Sequence, residues 1–210
     1  MWHKVSPISF RIPYIKTWKS TWYEDKKWYQ QTLGLDIKAR EMLKKELTGI
    51  PLGDVLVSKN QDIITVVVFT SKSVLILGKT GEQKDHLESL LTRKLGTKTI
   101  LEVREIKKPD ANAKIVAYMV ANQIEKRMPY KRAIKQAIQK SMEDSWVKGI
   151  KIKVGGRLNG AEIARKETFK DGNIPTQTIR ADIDYTTMRA ETVYGTIGLK
   201  VWIYKGNIYK

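Results

Sequence analysis

The chain has 210 residues, with 39 Lys and Arg against 22 Asp and Glu, and its formal net charge is +17. Such a surplus attracts polyanions, either nucleic acid or an anionic membrane surface. No apolar run approaches the roughly 20 residues of a membrane-spanning helix. The absence of cysteine excludes disulfides and thiolate chemistry and fits a cytoplasmic protein. The composition therefore favours a nucleic-acid partner over a membrane.

Residues 1–25 are rich in aromatic and basic side chains and are predicted to form an extended arm. Pro7 and Pro13 argue against a helix there. Two interpretations remain open for this arm. It either packs its aromatic side chains on a domain, or it reaches RNA, where arginine and aromatic side chains stack on bases.

Residues 26–107 are predicted to form a compact α/β unit, because helical and strand periodicities alternate along them. In the first helix Ile37, Leu43 and Leu47 should face the core. The expected elements are, in chain order, a helix at 36–47, strands at 54–58 and 63–69, a short helix, a glycine turn, a helix at 82–95 and a strand at 99–105.

The glycine turn is Gly78-Lys79-Thr80-Gly81, and it precedes a segment with leucines at helical spacing. Lys79 adds a positive charge, and the free N–H groups of the following helix's first turn attract anions. A G-x-x-G turn that opens a helix is how a KH module clamps a nucleic-acid backbone. Ser73 stands where a Walker A motif needs glycine, which disfavours nucleotide hydrolysis.

Residues 108–210 are predicted to form a second domain, in which two helices cover one face of a mixed sheet. Pro109 marks the boundary, and Asp110 is a candidate cap for the first helix. The second helix should begin after Pro129. Apolar and polar residues alternate in the segments that follow, as is typical of strands with one buried face.

Three cations, Lys131, Arg132 and Lys135, share the face of the second helix opposite Ile134. A solvated charged face is the ordinary explanation of such a pattern. However, Lys131 and Arg132 have no Asp or Glu three or four positions further on. Unpaired like charges repel, so this grouping favours a surface that a polyanion neutralises.

Asp182 and Asp184 alternate along one predicted strand, with Glu191 further on. A metal-dependent nuclease could use such carboxylates. The preferred interpretation is that they face lysines on neighbouring strands. The two histidines, His3 and His86, have no ligand-like spacing. The sequence therefore predicts no catalytic residue, no metal site and no cofactor.

A longer pattern lies in the C-terminal half. It comprises Gly156-Arg157-Leu158-Asn159-Gly160-Ala161-Glu162-Ile163-Ala164-Arg165, then Thr178-Ile179-Arg180-Ala181-Asp182, and later Tyr194-Gly195-Thr196-Ile197-Gly198. Together with Phe10-Arg11 and Pro129-Tyr130-Lys131-Arg132-Ala133, it resembles the family of bacterial small-subunit ribosomal protein three. The resemblance covers essentially the whole chain.

The resemblance implies an N-terminal KH domain of the second topological type and a C-terminal α/β domain, in the head of the small ribosomal subunit. The implied partners are ribosomal RNA, mRNA, the neighbouring proteins ten and fourteen, and proteins four and five at the mRNA entry. The family would use Lys131, Arg132 and Lys135 to hold and unwind mRNA. The KH loop and the ribosomal RNA or structural contacts would be Gly78, Lys79, Thr80, Gly81, Lys4, Arg11, Arg157, Arg165 and Arg180.

One departure from the family concerns the glycine turn, where Thr80 replaces the usual basic residue. One positive charge fewer weakens a phosphate clamp. Two alternatives to a ribosomal protein also stay open at this point. They are a free-standing KH-type RNA-binding regulator and a metal-dependent nuclease.

Overall fold

A computed structural model describes residues 5–60, 63–78 and 81–209. Within this part of the chain the residues form two compact units. One unit comprises residues 18–107, apart from the gaps, and the other comprises residues 5–17 together with 108–209. None of the helices described is long and apolar enough to cross a bilayer.

The first unit is a four-stranded sheet with helices packed against it. Its strand order is β1-β2-β3-β4, with β2 and β3 antiparallel and the two outer pairs parallel. The succession α1-β2-β3-α2-α3-β4 agrees with the predicted KH order. The elements are β1 (Ser20–Thr21), α1 (Lys26–Glu46), β2 (Leu52–Asn60), β3 (Ile63–Thr70), α2 (Val74–Leu77), α3 (Glu82–Leu95) and β4 (Lys98–Glu105).

Helix α3 is the element that the sequence predicts best. Gly81 precedes it with φ 91°, and Gly96 ends it with φ 68°, so both ends use backbone conformations that favour glycine. Leu87, Leu91 and Leu95 lie on its buried side. They join a core built with Val66 and Val68 of β3, among others.

Helix α1 begins ten residues earlier than predicted, at Lys26 instead of Asp36. Its first turns lack an apolar stripe facing the core, because Trp28 and Ile37 are about half exposed. The inward position predicted for Ile37 is therefore wrong, whereas those of Leu43 and Leu47 are confirmed. The arm predicted over 1–25 also ends early, since β1 pairs with β2.

The second unit is a four-stranded sheet with two helices on one face. Its strand order is β6-β5-β8-β7 and every pair is antiparallel, so the prediction of a mixed sheet is wrong for this domain. A two-residue turn joins β7 to β8, as antiparallel neighbours allow. The elements are α4 (Ala113–Glu125), α5 (Tyr130–Glu143), β5 (Gly149–Gly156), β6 (Arg165–Gly172), β7 (Ala181–Thr192) and β8 (Gly195–Asn207).

The core of this unit lies between the helices and one sheet face. Ile152, Val201 and Ile203 supply the sheet side, and Val120 and Ile134 supply part of the helix side. The predicted capping residue of α4 is wrong. Asn112 caps the helix by accepting a hydrogen bond from the backbone N–H of Lys114 at 3.0 Å, while Asp110 lies in a preceding 3-10 turn.

Strand β6 was not predicted. Its residues Arg165–Gly172 are almost all polar, and Glu167 and Phe169 are its half-buried side chains. It is an edge strand that pairs with β5 alone, so it needs no apolar alternation of its own. Its place in the sheet brings Lys166 and Lys170 onto a surface where the sequence had placed no strand.

Candidate nucleic-acid interface

The N-terminal turn of α5 is held rigidly against the second unit. Tyr130 is buried, and its hydroxyl donates to Glu167 Oε1 at 3.1 Å. Burial is the main cause that raises the pKa of the Tyr130 phenol, which keeps it protonated as a donor. Ala133 and Ile134 are fully buried. This anchoring fixes which side of α5 faces solvent.

The opposite side of α5 exposes Lys131, Arg132 and Lys135, so the shared face predicted from the sequence is confirmed. Together with Gln136 and Gln139 they line an open cleft of about 470 Å³. Among the described residues, no carboxylate lies within ion-pairing distance of these three cations. The nearest aromatic partner is the Tyr130 ring, 6.0 Å from Lys131 Nζ.

The start of a helix is an unfavourable place for these cations. The first turn of α5 contains no acidic residue, and the helix dipole places a partial positive charge at this end. Lys131 and Arg132 add two full positive charges to it. A bound phosphate would relieve both the repulsion and the dipole penalty, so the arrangement suits a polyanion.

A second cleft, of about 780 Å³, continues from the first between α5 and β6. Lys135 and Gln139 line both clefts, and Lys170 of β6 lines the second. Glu143 and Asp171 also border it, at the far end of α5. Lys170 is the cation that sequence reasoning missed here, because β6 carries no strand-like pattern.

The predicted KH loop is described only in part. Gly78 has φ 75° and Gly81 has φ 91°, so both glycines adopt conformations that other residues rarely do. Lys79 and Thr80 lie outside the described residues. Glu82 and Asp85 occupy the first turn of α3, where their negative charges complement the helix dipole and oppose an approaching phosphate.

Arg11 is completely buried, unlike the predicted contact residues Arg157, Arg165 and Arg180. Its Nε donates to the carbonyl of Ala181 at 2.6 Å, and its Nη1 donates to that of Pro7 at 2.9 Å. Its Nη2 donates to the carbonyls of Pro175, Thr176 and Thr178. Burial lowers its pKa, and the nearby Asp182 carboxylate opposes that shift. Arg11 therefore fixes the arm to the loop before β7.

Three further predicted contact residues, Arg157, Arg165 and Arg180, belong to elements other than α5. Arg157 braces its own loop by donating from Nε to the carbonyl of Ala161 at 3.0 Å. Arg165 is exposed at the start of β6, and Arg180 is exposed with its guanidinium 5.4 Å from the Tyr209 ring. Lys4 lies outside the described residues.

The carboxylates considered for catalysis have other partners. Lys16 pairs with Asp182 at 2.8 Å, and Asp184 accepts a hydrogen bond from the backbone N–H of Ala113 at 3.0 Å. The expectation that they face lysines on neighbouring strands is therefore wrong. No group of three potential metal ligands occurs in the described part of the chain. His86 is exposed on α3.

Comparison with known families supports the two-unit organisation. Residues 38–111 match the model of the KH domain. Residues 120–203 match the model of the ribosomal protein S3 C-terminal domain. The second match contains all of α5 and its exposed cations, and the first contains the glycine loop.

Curated proteins resemble the chain over almost its full length. The small ribosomal subunit protein uS3 of Marinobacter nauticus is 43% identical over 208 residues, which are 99% of this chain and 91% of the relative. The uS3 protein of Acinetobacter baylyi is also 43% identical, over 99% of this chain and 83% of the relative. That of Acinetobacter baumannii is 42% identical over the same shares.

Proposed function

The chain belongs to the ribosomal protein S3 family of the small ribosomal subunit, and we propose that it uses α5 to hold mRNA where the message enters the subunit. RNA binding through the KH domain and a part in translation follow from the family. The proposal adds three points: the bound RNA is mRNA, the helix that binds it is α5, and the binding helps to unwind the mRNA.

The observation that carries the proposal is the unpaired cationic start of α5. Lys131, Arg132 and Lys135 are exposed along an open cleft, and the first turn holds no acid that could offset them. Tyr130 and Ile134 hold the other side of the helix in place. Because the helix is anchored, the three cations can bind the phosphates of a moving RNA strand while keeping their own position.

The mechanism is binding and requires no bond to be broken. Phosphate contacts by Lys and Arg are independent of sequence, so any message can pass. If the three cations hold one strand while translocation pulls it, a base-paired partner strand is stripped away at this point. The surface therefore acts as a passive wedge in mRNA unwinding.

Further elements of the proposal concern the rest of the assembly. The KH loop between Gly78 and Gly81 is proposed to contact ribosomal RNA, in the subunit head. The neighbours would be proteins ten and fourteen, with four and five around the mRNA entry. These partners come from the family resemblance, and a cytoplasmic location with the ribosome follows from them. The proposed role needs neither cofactor nor catalytic residue.

The experiment is translation by ribosomes that carry the triple variant Lys131→Glu, Arg132→Glu and Lys135→Glu. Reversing the three charges removes the grip on phosphate. We expect elongation through a stable hairpin in the message to slow several-fold, while elongation through an unstructured message changes little. The measurement is the rate on two messages that differ only in the hairpin.

A matched control changes the same total charge elsewhere. Lys38, Lys44 and Lys45 are exposed on α1, and Lys38→Glu, Lys44→Glu and Lys45→Glu together should leave the two rates in their normal ratio. Equal slowing on both messages by the α5 variant would contradict the unwinding role. Ribosome association of every variant is checked first, by sedimentation.

A further inference from the structure

The face of the second unit's sheet that lies opposite α4 and α5 is open and basic. Alternation along the strands sends Ile152 and Val154 of β5 toward the helices, and likewise Leu199 and Val201 of β8. The side chains between them point the other way. Six of these are cations, namely Lys151, Lys153, Lys166, Lys170, Arg189 and Lys200.

Most of these cations are accessible. Lys166, Lys170, Arg189 and Lys200 are exposed, and Lys153 is half-buried. In the four strands, all of them described, the same alternation places one acidic residue on this side, Glu191 at the β7–β8 turn. The face is therefore strongly positive around Lys153, Lys200 and Arg189, whereas at its other end Ile183 and Tyr204 belong to a small buried apolar cluster.

Strand register brings like charges directly opposite each other. Lys153 of β5 stands directly opposite Lys200 of β8 in the strand register. Directly opposed like charges destabilise an antiparallel sheet. Elsewhere the same unit pairs its cations with acids, as Lys16 does with Asp182 and Lys108 with Asp144. Among the described residues, Lys153 and Lys200 have no such acid, which favours an external polyanion.

The middle of the face is shaped for a chain to lie across it. Gly155 and Gly198 stand opposite each other, so no side chains rise between the flanking cations. A shallow cleft of about 490 Å³ results, lined by Lys153, Lys166, Arg189 and Lys200 among others. The absence of side chains there lets a ligand's backbone approach closely.

An aromatic pair lies beside the cations. The rings of Tyr185 and Trp202 are 5.1 Å apart, and Lys151 Nζ lies 5.1 Å from the Trp202 ring. Both aromatic side chains are partly exposed. Cations that follow a backbone, next to aromatic rings on which bases stack, are the elements of sequence-tolerant single-strand binding.

We propose that this open sheet face is an RNA-binding surface, distinct from the α5 cleft and the KH loop, that holds the sugar-phosphate backbone of an unpaired RNA segment. The segment belongs either to ribosomal RNA or to a message, since both present the same phosphates. The surface uses no residue of the proposed mRNA grip on α5. A test of this surface is therefore independent of a test of the proposed mRNA binding by α5.

The first test is the variant Lys153→Glu in the full chain. It places a carboxylate opposite Lys200, so one change removes two cations from the face and replaces a repulsion by an ion pair. We expect the thermal midpoint to stay equal or rise. We then measure the affinity for a single-stranded RNA of about a dozen nucleotides. The slope of log K against log salt concentration should become shallower by about 1.4, and the affinity at about 0.1 M salt should fall roughly 20-fold.

The control is Lys38→Glu on α1, which makes the same charge change on the other unit and should leave RNA affinity within about twofold. If Lys153→Glu binds RNA as tightly as the unchanged protein, the proposal is wrong. If it loses affinity while its thermal midpoint is maintained, the proposal is supported.

A second test leaves every cation in place. A photoreactive amino acid at the exposed Thr187, between the flanking cations, is irradiated in assembled small subunits. Cross-links to RNA support the proposal, and sequencing the attached fragment distinguishes ribosomal RNA from mRNA. Cross-links to protein alone, or none at all, would overturn it. The α5 triple variant should give the same cross-link.

Discussion

The two units use their cations differently. The unit at 18–107 has 16 Lys and Arg against 12 Asp and Glu, whereas the other, counted over 1–17 and 108–210, has 23 against 10. In the first unit, Arg40 of α1, Lys59 of β2 and Lys84 of α3 are each paired with a carboxylate. In the second, no carboxylate partner among the described residues pairs with Lys131, Arg132 and Lys135 of α5, or with Lys153, Lys166, Lys170, Arg189 and Lys200 of the open sheet face.

The pairing in the first unit connects its elements. Arg40 of α1 donates from Nε to Asp36 Oδ1 at 2.6 Å and from Nη1 to the carbonyl of Val55 at 2.7 Å. Its Nη2 reaches the carbonyl of Lys19 and the hydroxyl of Ser20. Lys59 of β2 pairs with Glu24. These cations hold β1, α1 and β2 together.

Two helix starts show the same difference. Helix α3 begins with Glu82 and Asp85, which match the helix dipole, whereas α5 begins with Lys131 and Arg132, which oppose it. A charge that stabilises a helix needs no other explanation. A pair of charges that destabilises one, on an exposed face, indicates a surface kept for a ligand.

The largest expected effect comes from removing a paired cation of the first unit. Arg40→Met removes the partner of Asp36, which is 5% exposed, and leaves a carboxylate buried without its counterion. We expect a loss of about 3 kcal/mol in the free energy of unfolding. Hydrogen–deuterium exchange should localise the loss to α1 and β2, while the affinity for single-stranded RNA is retained.

The control for this change is Arg104→Met. The Arg104–Glu102 pair is 2.9 Å long and both side chains are about half exposed, so its loss should cost less than about 0.5 kcal/mol. Similar costs for the two variants would show that pairing in this unit does not depend on burial.

A smaller effect concerns backbone geometry at the KH loop. A Cβ at Gly81 would meet no atom within 4 Å, but its φ of 91° is strained for alanine. Gly81→Ala should therefore cost about 1 kcal/mol. Gly34→Ala has the same free space without the strained φ and should stabilise α1 by about 0.5–1 kcal/mol. Thermal unfolding of both variants measures the difference, and equal shifts would contradict it.

Local patterns in the sequence predict much of this molecule. Glycines mark both ends of α3, and the spacing of Ile134 relative to Lys131 and Lys135 identifies the exposed side of α5. The helices and most strands follow from periodicity. What these parts share is that the deciding interactions lie within a few residues along the chain.

The features that could not be predicted from the sequence depend on residues that are distant along the chain. Arg11 is buried by carbonyls more than 160 residues away, and no local signal distinguishes it from an exposed arginine. The polar segment β6 forms a strand because its backbone pairs with β5, and this pairing leaves no apolar pattern in the sequence of β6. The open basic face exists only once β5, β6, β7 and β8 lie side by side. Topology, not composition, assembles these surfaces.

The most direct measurement compares stability and RNA affinity for Lys131→Gln/Arg132→Gln, with Glu82→Gln/Asp85→Asn as the mirrored control. Neutralising the α5 cations should leave the free energy of unfolding unchanged or raise it by about 0.3–1 kcal/mol per charge. It should also reduce the log–log salt slope for single-stranded RNA by about 1.4. Neutralising the α3 acids should lower stability without weakening RNA binding. An α5 variant that loses stability and keeps its RNA affinity would show that these cations serve the fold and not a ligand.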